Sequence, residues 1–182
     1  SQAISGAHLF VGDSKICDVN LPASESVDYN YSYTVVEDDF ASYILYKVNR
    51  YDVSGKQLLK TLNKYYVADL GLQKFLLNNS KQNLGHNIEN VVYLELLRRG
   101  YRVYIGKVNN LEVDFVAEKD GYTYYFQVAQ SVMDENVLQR ELKPLNEIKD
   151  HNTKFLLTMD NVPETSHNGI RQMNLIDWLL KT

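Results

Sequence analysis

The chain has 182 residues, an ordinary proportion of apolar side chains and a formal net charge of −4. This length suits one large domain, or one domain with a small appendage, and it is long enough to bury a core. The acidic balance argues against strong non-specific binding of nucleic acid by the whole domain, since such binding depends on neutralising phosphates. A single cysteine, Cys17, excludes an internal disulfide and fits a reducing compartment, so we expect a cytoplasmic protein. No apolar run approaches the roughly 20 residues of a membrane span, and no secretory signal pattern is present.

We predict a small N-terminal α+β extension over residues 4–80. The chain opens Ser-Gln-Ala without an initiator methionine, which we interpret as the start of a fragment of a longer protein. Residues 4–36 mix turn formers with short apolar runs, a pattern that indicates short strands and loops. After them, Asp38 or Asp39 can cap a short helix that ends at Leu45.

The rest of this extension has clearer periodicity. The alternating run LYKVNRYDV, residues 45–53, predicts a strand, and Ser54-Gly55 marks a turn. The run KYYVADLGLQKFLL, residues 64–77, predicts a strand that leads into a short helix.

From His86 onward the pattern predicts a second domain, residues 81–182. The run HNIENVVYLELLRRG has apolar residues at helical spacing and ends in Gly100, a common helix stop. A strand (YRVYIG), a hairpin, a helix capped by Asp134 and an apolar strand (KFLLTM) follow in that order. The predicted order is therefore α-β-β-β-α-β, and a closing strand and short helix (GIRQMNLIDWLLK) complete it.

The predicted hairpin, LEVDFVAEKDGYTYYFQVAQS, raises the main functional question. Asp120-Gly121 is a strong two-residue turn signal, which pairs Lys119 with Tyr122. Counting outward from this turn separates the hairpin into two faces.

The apolar face is expected to join the core, and it holds Val113, Phe115, Phe126 and Val128. The polar face holds two directly opposite pairs, Asp114 with Gln127 and Glu112 with Ala129. Two interpretations of the polar face stay open. It is half of a metal site without its lysine, or it is the ordinary solvated face of a half-buried hairpin.

The predicted element order resembles the core of the PD-(D/E)XK, or restriction endonuclease-like, nuclease fold. In that fold an Asp lies on the second strand and a D/E-x-K motif on the third. Here Val113-Asp114 stands for the PD pair, while Gln127-Val128-Ala129 stands in the place of D/E-x-K. Glu89 lies on the first helix, where many members of the superfamily carry a further acidic ligand. The resemblance implies a vestigial site of Glu89, Asp114 and Gln127, with Glu89 and Asp114 as ligands for Mg²⁺.

A more specific resemblance covers residues 40–180. It rests on KYYVADLGLQ, ENVVYLELLRRGYRVYIG, EVDFVAE, YYFQVAQS, ENVLQRELKPLNEIKDHNTKFLLTMD and GIRQMNLIDWLL. Together these segments resemble the uncharacterised C-terminal domain of a prokaryotic AAA+-type ATPase family, whose core is PD-(D/E)XK-like. The resemblance implies an N-terminal ATPase domain in the parent chain and a winged-helix-like connector at residues 4–36. The present sequence has no G-x-x-x-x-G-K-S/T motif with which to bind ATP itself.

We expect poor catalysis from the vestigial site. Gln127 offers a neutral amide oxygen in place of a carboxylate, and Ala129 offers nothing in place of the lysine. Lys107 and Lys143 are candidates for a migrated lysine, but the spacing selects neither.

Basic residues offer a second, weaker candidate site. Arg98, Arg99, Arg102 and Lys107 cluster around the end of the first core helix, where they either complement its dipole or contact phosphates. Arg140 forms a helix-surface pair with Glu141, or, since the resemblance places it near the hairpin, contributes to ligand binding.

These observations predict an α/β protein with a PD-(D/E)XK-like core and a small N-terminal extension. The leading hypothesis is a degenerate nuclease-like accessory domain of an AAA+-type ATPase, which binds nucleic acid or a protein partner without efficient catalysis. The alternatives are a Mg²⁺-dependent nuclease with a non-standard active site, and an assembly module that organises the ATPase as an oligomer. Membranes are not expected partners.

Overall fold

A computed structural model of the chain describes residues 7–11, 14–19, 45–76 and 84–181. The chain divides into two compact units, of which the smaller comprises Ser1–Leu45 with Val67–Gln82 and the larger comprises Tyr46–Tyr66 with Asn83–Thr182. The predicted domain boundary lies between residues 80 and 81. The structure differs in grouping Tyr46–Tyr66 with the larger unit, where these residues add strands to its sheet.

The smaller unit contains a two-stranded antiparallel sheet and a short helix. Strands β1 (Ala7–Val11) and β2 (Ser14–Val19) pair with an irregularity at Leu9/Phe10, and helix α1 spans Leu70–Leu76. The Asp69 carboxylate accepts a hydrogen bond from Gly71 N–H at the start of α1, as expected of an acidic side chain at a helix N-terminus. The predicted helix after Asp38 and most of the predicted connector lie outside the described residues, although Leu45 itself begins a strand.

The remaining elements confirm the predicted order from residue 86. They are β3 (Leu45–Asp52), β4 (Gln57–Val67), α2 (Leu84–Arg98), β5 (Arg102–Val108), β6 (Leu111–Lys119), β7 (Tyr122–Ala129), α3 (Glu135–Glu147), β8 (Thr153–Thr158), β9 (Thr165–His167), β10 (Ile170–Asn174) and α4 (Leu175–Leu180). Thus α2-β5-β6-β7-α3-β8 supplies the α-β-β-β-α-β order, and only the short β9 was not expected. Gly100 follows α2 with a φ of +81°, and the Asp134 side chain caps α3, as predicted.

An eight-stranded mixed sheet, in the order β4-β3-β5-β6-β7-β8-β10-β9, organises the larger unit. Strands β5, β6 and β7 are antiparallel neighbours, whereas β7, β8 and β10 run parallel. The β3–β4 hairpin joins this sheet through β5 over a short parallel stretch, in which Arg50–Asp52 pairs with Ile105–Lys107. The protein is therefore mixed α/β. None of its described helices is long and apolar enough to cross a bilayer.

Apolar clusters cover both faces of the sheet. On the α2 side, Val92 and Leu96 pack with Phe115, Phe126 and Trp178. The cluster on the α3 side contains Leu142, Leu145, Val113, Val116 and Leu156. Of the two interpretations of the polar hairpin face, the solvated face does not hold for Gln127 and Ala129, which are 7 % and 8 % exposed on the side that α3 covers.

A β-bulge in β6 also corrects the predicted division of apolar residues. Tyr104 pairs with Val116 and Gly106 pairs with Val113, so β6 has one more residue than β5 between these pairs. This extra residue reverses the alternation, so that Val113 lies in the α3-side cluster and Phe115 in the α2-side cluster. Val113 and Phe115 therefore lie on opposite faces of the sheet. Between the two pairs, β6 has Asp114 and Phe115, whereas β5 has the single residue Ile105.

Candidate functional site

The hairpin turn sets the position of the candidate site. Asp120 and Gly121 both have positive φ, at 52° and 80°, and Lys119 pairs with Tyr122, which confirms the predicted register. The backbone ladder between β6 and β7 runs from this turn to the pair Phe115–Phe126. The candidate site begins at the next position along β6, Asp114, which lies in the bulge that β6 forms against β5.

Side chains continue the contact between the strands at this position. Asp114 N–H donates to Gln127 Oε1 at 3.4 Å, and Val128 N–H donates to Asp114 Oδ2 at 2.7 Å. Asp114 and Gln127 are each only 7 % exposed. The structure therefore brings these two predicted residues together, but as a buried bridge that holds β6 and β7.

Cations from the β3–β4 hairpin reach the site on the α2 side. Lys64 Nζ lies 2.7 Å from Glu89 Oε2 and 3.3 Å from Glu112 Oε1. The Arg50 guanidinium also pairs with Glu112, and Tyr66 OH lies 3.4 Å from Glu89 Oε2. Glu89, which the resemblance predicted as a metal ligand, is thus engaged by an ammonium group and a hydroxyl group.

On the α3 side the second group of the site is an amide–carboxylate pair. Gln127 Nε2 donates to Glu141 Oε2 at 3.0 Å, while Arg140 donates to Glu141 Oε1 at 2.8 Å through one terminal nitrogen. The Arg140 side chain is 71 % exposed, so it lies at the outer rim. Gln127 uses both ends of its amide, accepting from the Asp114 backbone and donating to Glu141.

The electrostatics of the site follow from burial and from this pairing. Burial, followed by the charges of Glu89 and Glu141, raises the pKa of Asp114 to about 8, against the opposing effects of Val128 N–H and Lys64. Burial lowers the pKa of Lys64, but the Glu89 carboxylate outweighs it, so the pKa of Lys64 is raised overall. Burial raises the pKa of Glu112, but Arg50 and Lys64 outweigh it, so that pKa is lowered.

The Mg²⁺ implied by the resemblance does not fit these residues. Mg²⁺ needs an octahedral shell of oxygen ligands. Here Lys64 Nζ lies between Glu89 and Glu112, and Gln127 Oε1 accepts a backbone hydrogen bond. Within the described part of the chain, no group of three or more His, Cys, Asp or Glu side chains has an arrangement that could hold a metal ion. The arrangement is that of an ion-pair network.

Lys64 lies in the candidate site, paired with Glu89 and Glu112, although the sequence motif did not point to it. Of the two lysines considered, Lys107 is an exposed residue of β5 and Lys143 an exposed residue of α3. Glu112 takes its ion pairs from Arg50 and Lys64. The signal available in the sequence was the spacing of Lys64 and Tyr66 along a strand, which places both side chains on one face.

The predicted basic residues do not converge on one surface. Arg98 donates twice to Glu95, and Arg99 donates both to Glu95 and to Trp178 O. Arg102 and Lys107 are exposed near opposite ends of β5, about 17 Å apart at the usual rise of a strand. The part of this set that lies beside the candidate site is Arg140. The five residues do not form one continuous basic surface, and the predicted contact with phosphates stays a prediction.

Comparisons with known proteins give relatives of undefined role. No family model matches the chain, and no solved structure matches it. An uncharacterised protein of Haemophilus influenzae is 37 % identical over 140 residues, which cover 77 % of this chain and 34 % of the relative. An uncharacterised protein of Methanocaldococcus jannaschii is 32 % identical over 150 residues, covering 80 % of this chain and 30 % of the relative. The chain thus spans about a third of the length of the curated relatives it matches.

Proposed function

We propose that this chain is a non-catalytic accessory domain of a longer protein, built on a PD-(D/E)XK-like core whose active site has become a structural ion network. The observation that carries this proposal is the role of Gln127. Its amide joins the Asp114 backbone on β6 to the Glu141 side chain on α3, so the side chain at the place of the motif carboxylate connects the sheet to α3. Such a site holds the fold together, and it leaves binding as the function of the domain.

Catalysis on a phosphodiester needs a metal to neutralise developing charge and a group to orient water. Gln127 removes one formal charge from any metal shell, and Ala129 lies at 8 % exposure in the apolar cluster on the α3 side. A lost transition-state donor typically reduces the rate by about 10²–10³. Both losses affect the same step, which supports a binding role over turnover.

The partner that the charges favour is a protein. The net charge of −4 gives no long-range attraction to a polyanion. Arg98 and Arg99 both pair with Glu95, so part of the positive charge that was predicted to contact phosphates is already balanced. The first candidate for this protein partner is another domain of the same parent protein, where the resemblance implies an AAA+-type ATPase domain. Domains of one polypeptide meet at high effective concentration.

The test is cleavage of plasmid and single-stranded substrates in Mg²⁺ or Mn²⁺, with wild type and Asp114→Ala. We expect no metal-dependent turnover from either protein. Robust cleavage by wild type that disappears in Asp114→Ala would overturn the proposal. Fluorescence anisotropy with a labelled oligonucleotide tests the partner class, and affinity that falls steeply with salt would indicate nucleic acid instead of protein.

One observation favours a second candidate, a Mg²⁺-dependent nuclease with a migrated lysine. Lys64 Nζ contacts Glu89, and its charge acts on Asp114, as a displaced motif lysine would require. Under this alternative, Lys64→Met should abolish a cleavage activity that wild type possesses. Under the leading proposal there is no such activity to abolish.

A further inference from the structure

A cavity of about 670 Å³ lies at the turn end of the β6–β7 hairpin. Strand β5 begins at Arg102, opposite Glu118, while the hairpin continues to its turn at Asp120-Gly121. The hairpin and residues 100–102, which follow α2, both line the cavity. Its volume falls within the range of about 300–1,000 Å³ that is usual for sites of small ligands.

Two opposite charges line this cavity without pairing with each other. Arg102 and Glu118 are directly opposite residues of antiparallel strands, so their side chains share one face of the sheet, with Cβ atoms about 5 Å apart. Within the described part of the chain, neither side chain forms a hydrogen bond or an ion pair. The Arg102 guanidinium is therefore available to a carboxylate, and the Glu118 carboxylate is available to an ammonium group.

The second cation of the lining is already engaged. Lys119 Nζ donates to Arg99 O at 2.8 Å and lies 5.6 Å from the centre of the Tyr101 ring, so it holds the hairpin against the end of α2. Tyr122, which also lines the cavity, is 68 % exposed and offers a free aromatic surface. Arg102 is thus the cation that a ligand can reach.

The formal charges of the lining sum to zero, from the two cations and two acids Arg102, Lys119, Glu118 and Asp120. Such a lining gives no net attraction to a polyanion, and it suits a ligand that carries one charge of each sign. The termini of a dipeptide lie at most about 7 Å apart, a span that two neighbouring long side chains can bridge.

We propose that the cavity binds a zwitterion of dipeptide size, with its carboxylate on Arg102, its ammonium group on Glu118 and an aromatic side chain against Tyr122. The cavity shares no lining residue with the ion network around Asp114. Binding of such a ligand is therefore independent of the accessory role of the domain.

The probe is the dipeptide glycyl-tyrosine, compared with its N-acetyl derivative and its C-terminal amide, each of which lacks one of the two charges. Binding is followed by two-dimensional NMR of backbone amides. Gly100 and Gly121 report from the cavity, and Gly169 reports from the turn between β9 and β10. We expect glycyl-tyrosine to shift the signals of Gly100 and Gly121 but not that of Gly169. It should bind about tenfold more tightly than either derivative, because each derivative loses one charge-assisted contact.

Substitutions assign the two contacts. Arg102→Gln should bind glycyl-tyrosine and its amide equally, because the partner of the carboxylate is gone. Glu118→Gln should bind glycyl-tyrosine and its N-acetyl derivative equally, because the partner of the ammonium group is gone. Lys107→Gln is the matched control, since Lys107 is an exposed cation at the other end of β5, and it should keep the preferences of wild type.

Three results would overturn the proposal. The first is no shift of Gly100 and Gly121 at millimolar glycyl-tyrosine, and the second is equal affinity of wild type for all three probes. The third is a preference for the free carboxylate that Arg102→Gln retains or that Lys107→Gln also loses. If a variant fails to fold, the three probes on wild type still decide, because they test both charges without a substitution.

Discussion

Adjacent arginines at the end of α2 allow a stability test of the predicted phosphate patch. Arg98 and Arg99 both donate to Glu95, but Arg99 also donates to Trp178 O at 2.7 Å, and its guanidinium lies 4.3 Å from the centre of the Trp178 ring. Arg99 is 20 % exposed, whereas Arg98 is 63 % exposed. Arg99 therefore joins α2 to α4, and Arg98 serves as its matched control.

The magnitude follows from the contacts that only Arg99 makes. A hydrogen bond from a charged donor contributes about 1.5–3 kcal/mol, and a partly desolvated cation–π contact about 0.5–2 kcal/mol. Since Arg99 keeps some solvent contact, we expect Arg99→Ala to lower the free energy of unfolding by about 2–4 kcal/mol. For a chain of this size that corresponds to a fall in Tm of roughly 4–16 °C.

The assay is thermal and urea unfolding of wild type, Arg98→Ala and Arg99→Ala, followed by the fluorescence of Trp178, the single tryptophan. Arg98→Ala should leave Tm nearly unchanged, because an exposed ion pair contributes little. Arg99→Ala should lower Tm and shift the native emission to the red. Equal effects of the two substitutions would refute the structural role of Arg99 and restore it as a candidate for phosphate contact.

Two further predictions concern the bulge between β5 and β6. Because the folded-state pKa of Asp114 is raised to about 8, its contribution to stability is complete below about pH 4 and is lost as pH rises to about 8. Urea unfolding should therefore show wild type losing stability relative to Asp114→Asn from about pH 5 to about pH 8, and a constant difference would contradict this. Gly106→Ala should cost about 1–3 kcal/mol by overpacking, because its Cβ would lie 2.9 Å from Val113 Cβ and 2.9 Å from Val116 Cγ2. Combining it with Val113→Ala should cost less than the sum of the single changes, and strict additivity would argue against this contact.

The sequence predicted the parts of the fold that depend on local chemistry. Asp120-Gly121 specifies its turn because the turn needs two residues that tolerate positive φ. Gly100 ends α2 and Asp134 starts α3 for similarly local reasons. Each signal lies within a few residues of the structure it determines, so a single sequence is enough to read it.

The bulge shows where such reading fails. Period-two alternation over Val113–Val116 predicts one face for Val113 and Phe115, but the strands realign because Gly106 pairs with Val113 while Tyr104 pairs with Val116. That register belongs to β5 and β6 together, and neither strand specifies it alone. A single extra residue then moves every later side chain of β6 to the opposite face. Asp114 lies within this bulge and is only 7 % exposed.

Lys64 gives a stronger example, because the partners of the site carboxylates could not be predicted from the sequence around the motif. The nuclease-like motif in the sequence points to Asp114, Glu89 and a deficient Gln127. The cation that decides the behaviour of these ligands comes from β4, which reaches β6 only through the sheet order β4-β3-β5-β6. That order is not consecutive in the chain, so no spacing in the sequence connects Lys64 to Glu112. The cations that pair with Glu89 and Glu112 are therefore set by the order of β3 and β4 in the sheet, and reading the sequence around one motif does not give that order.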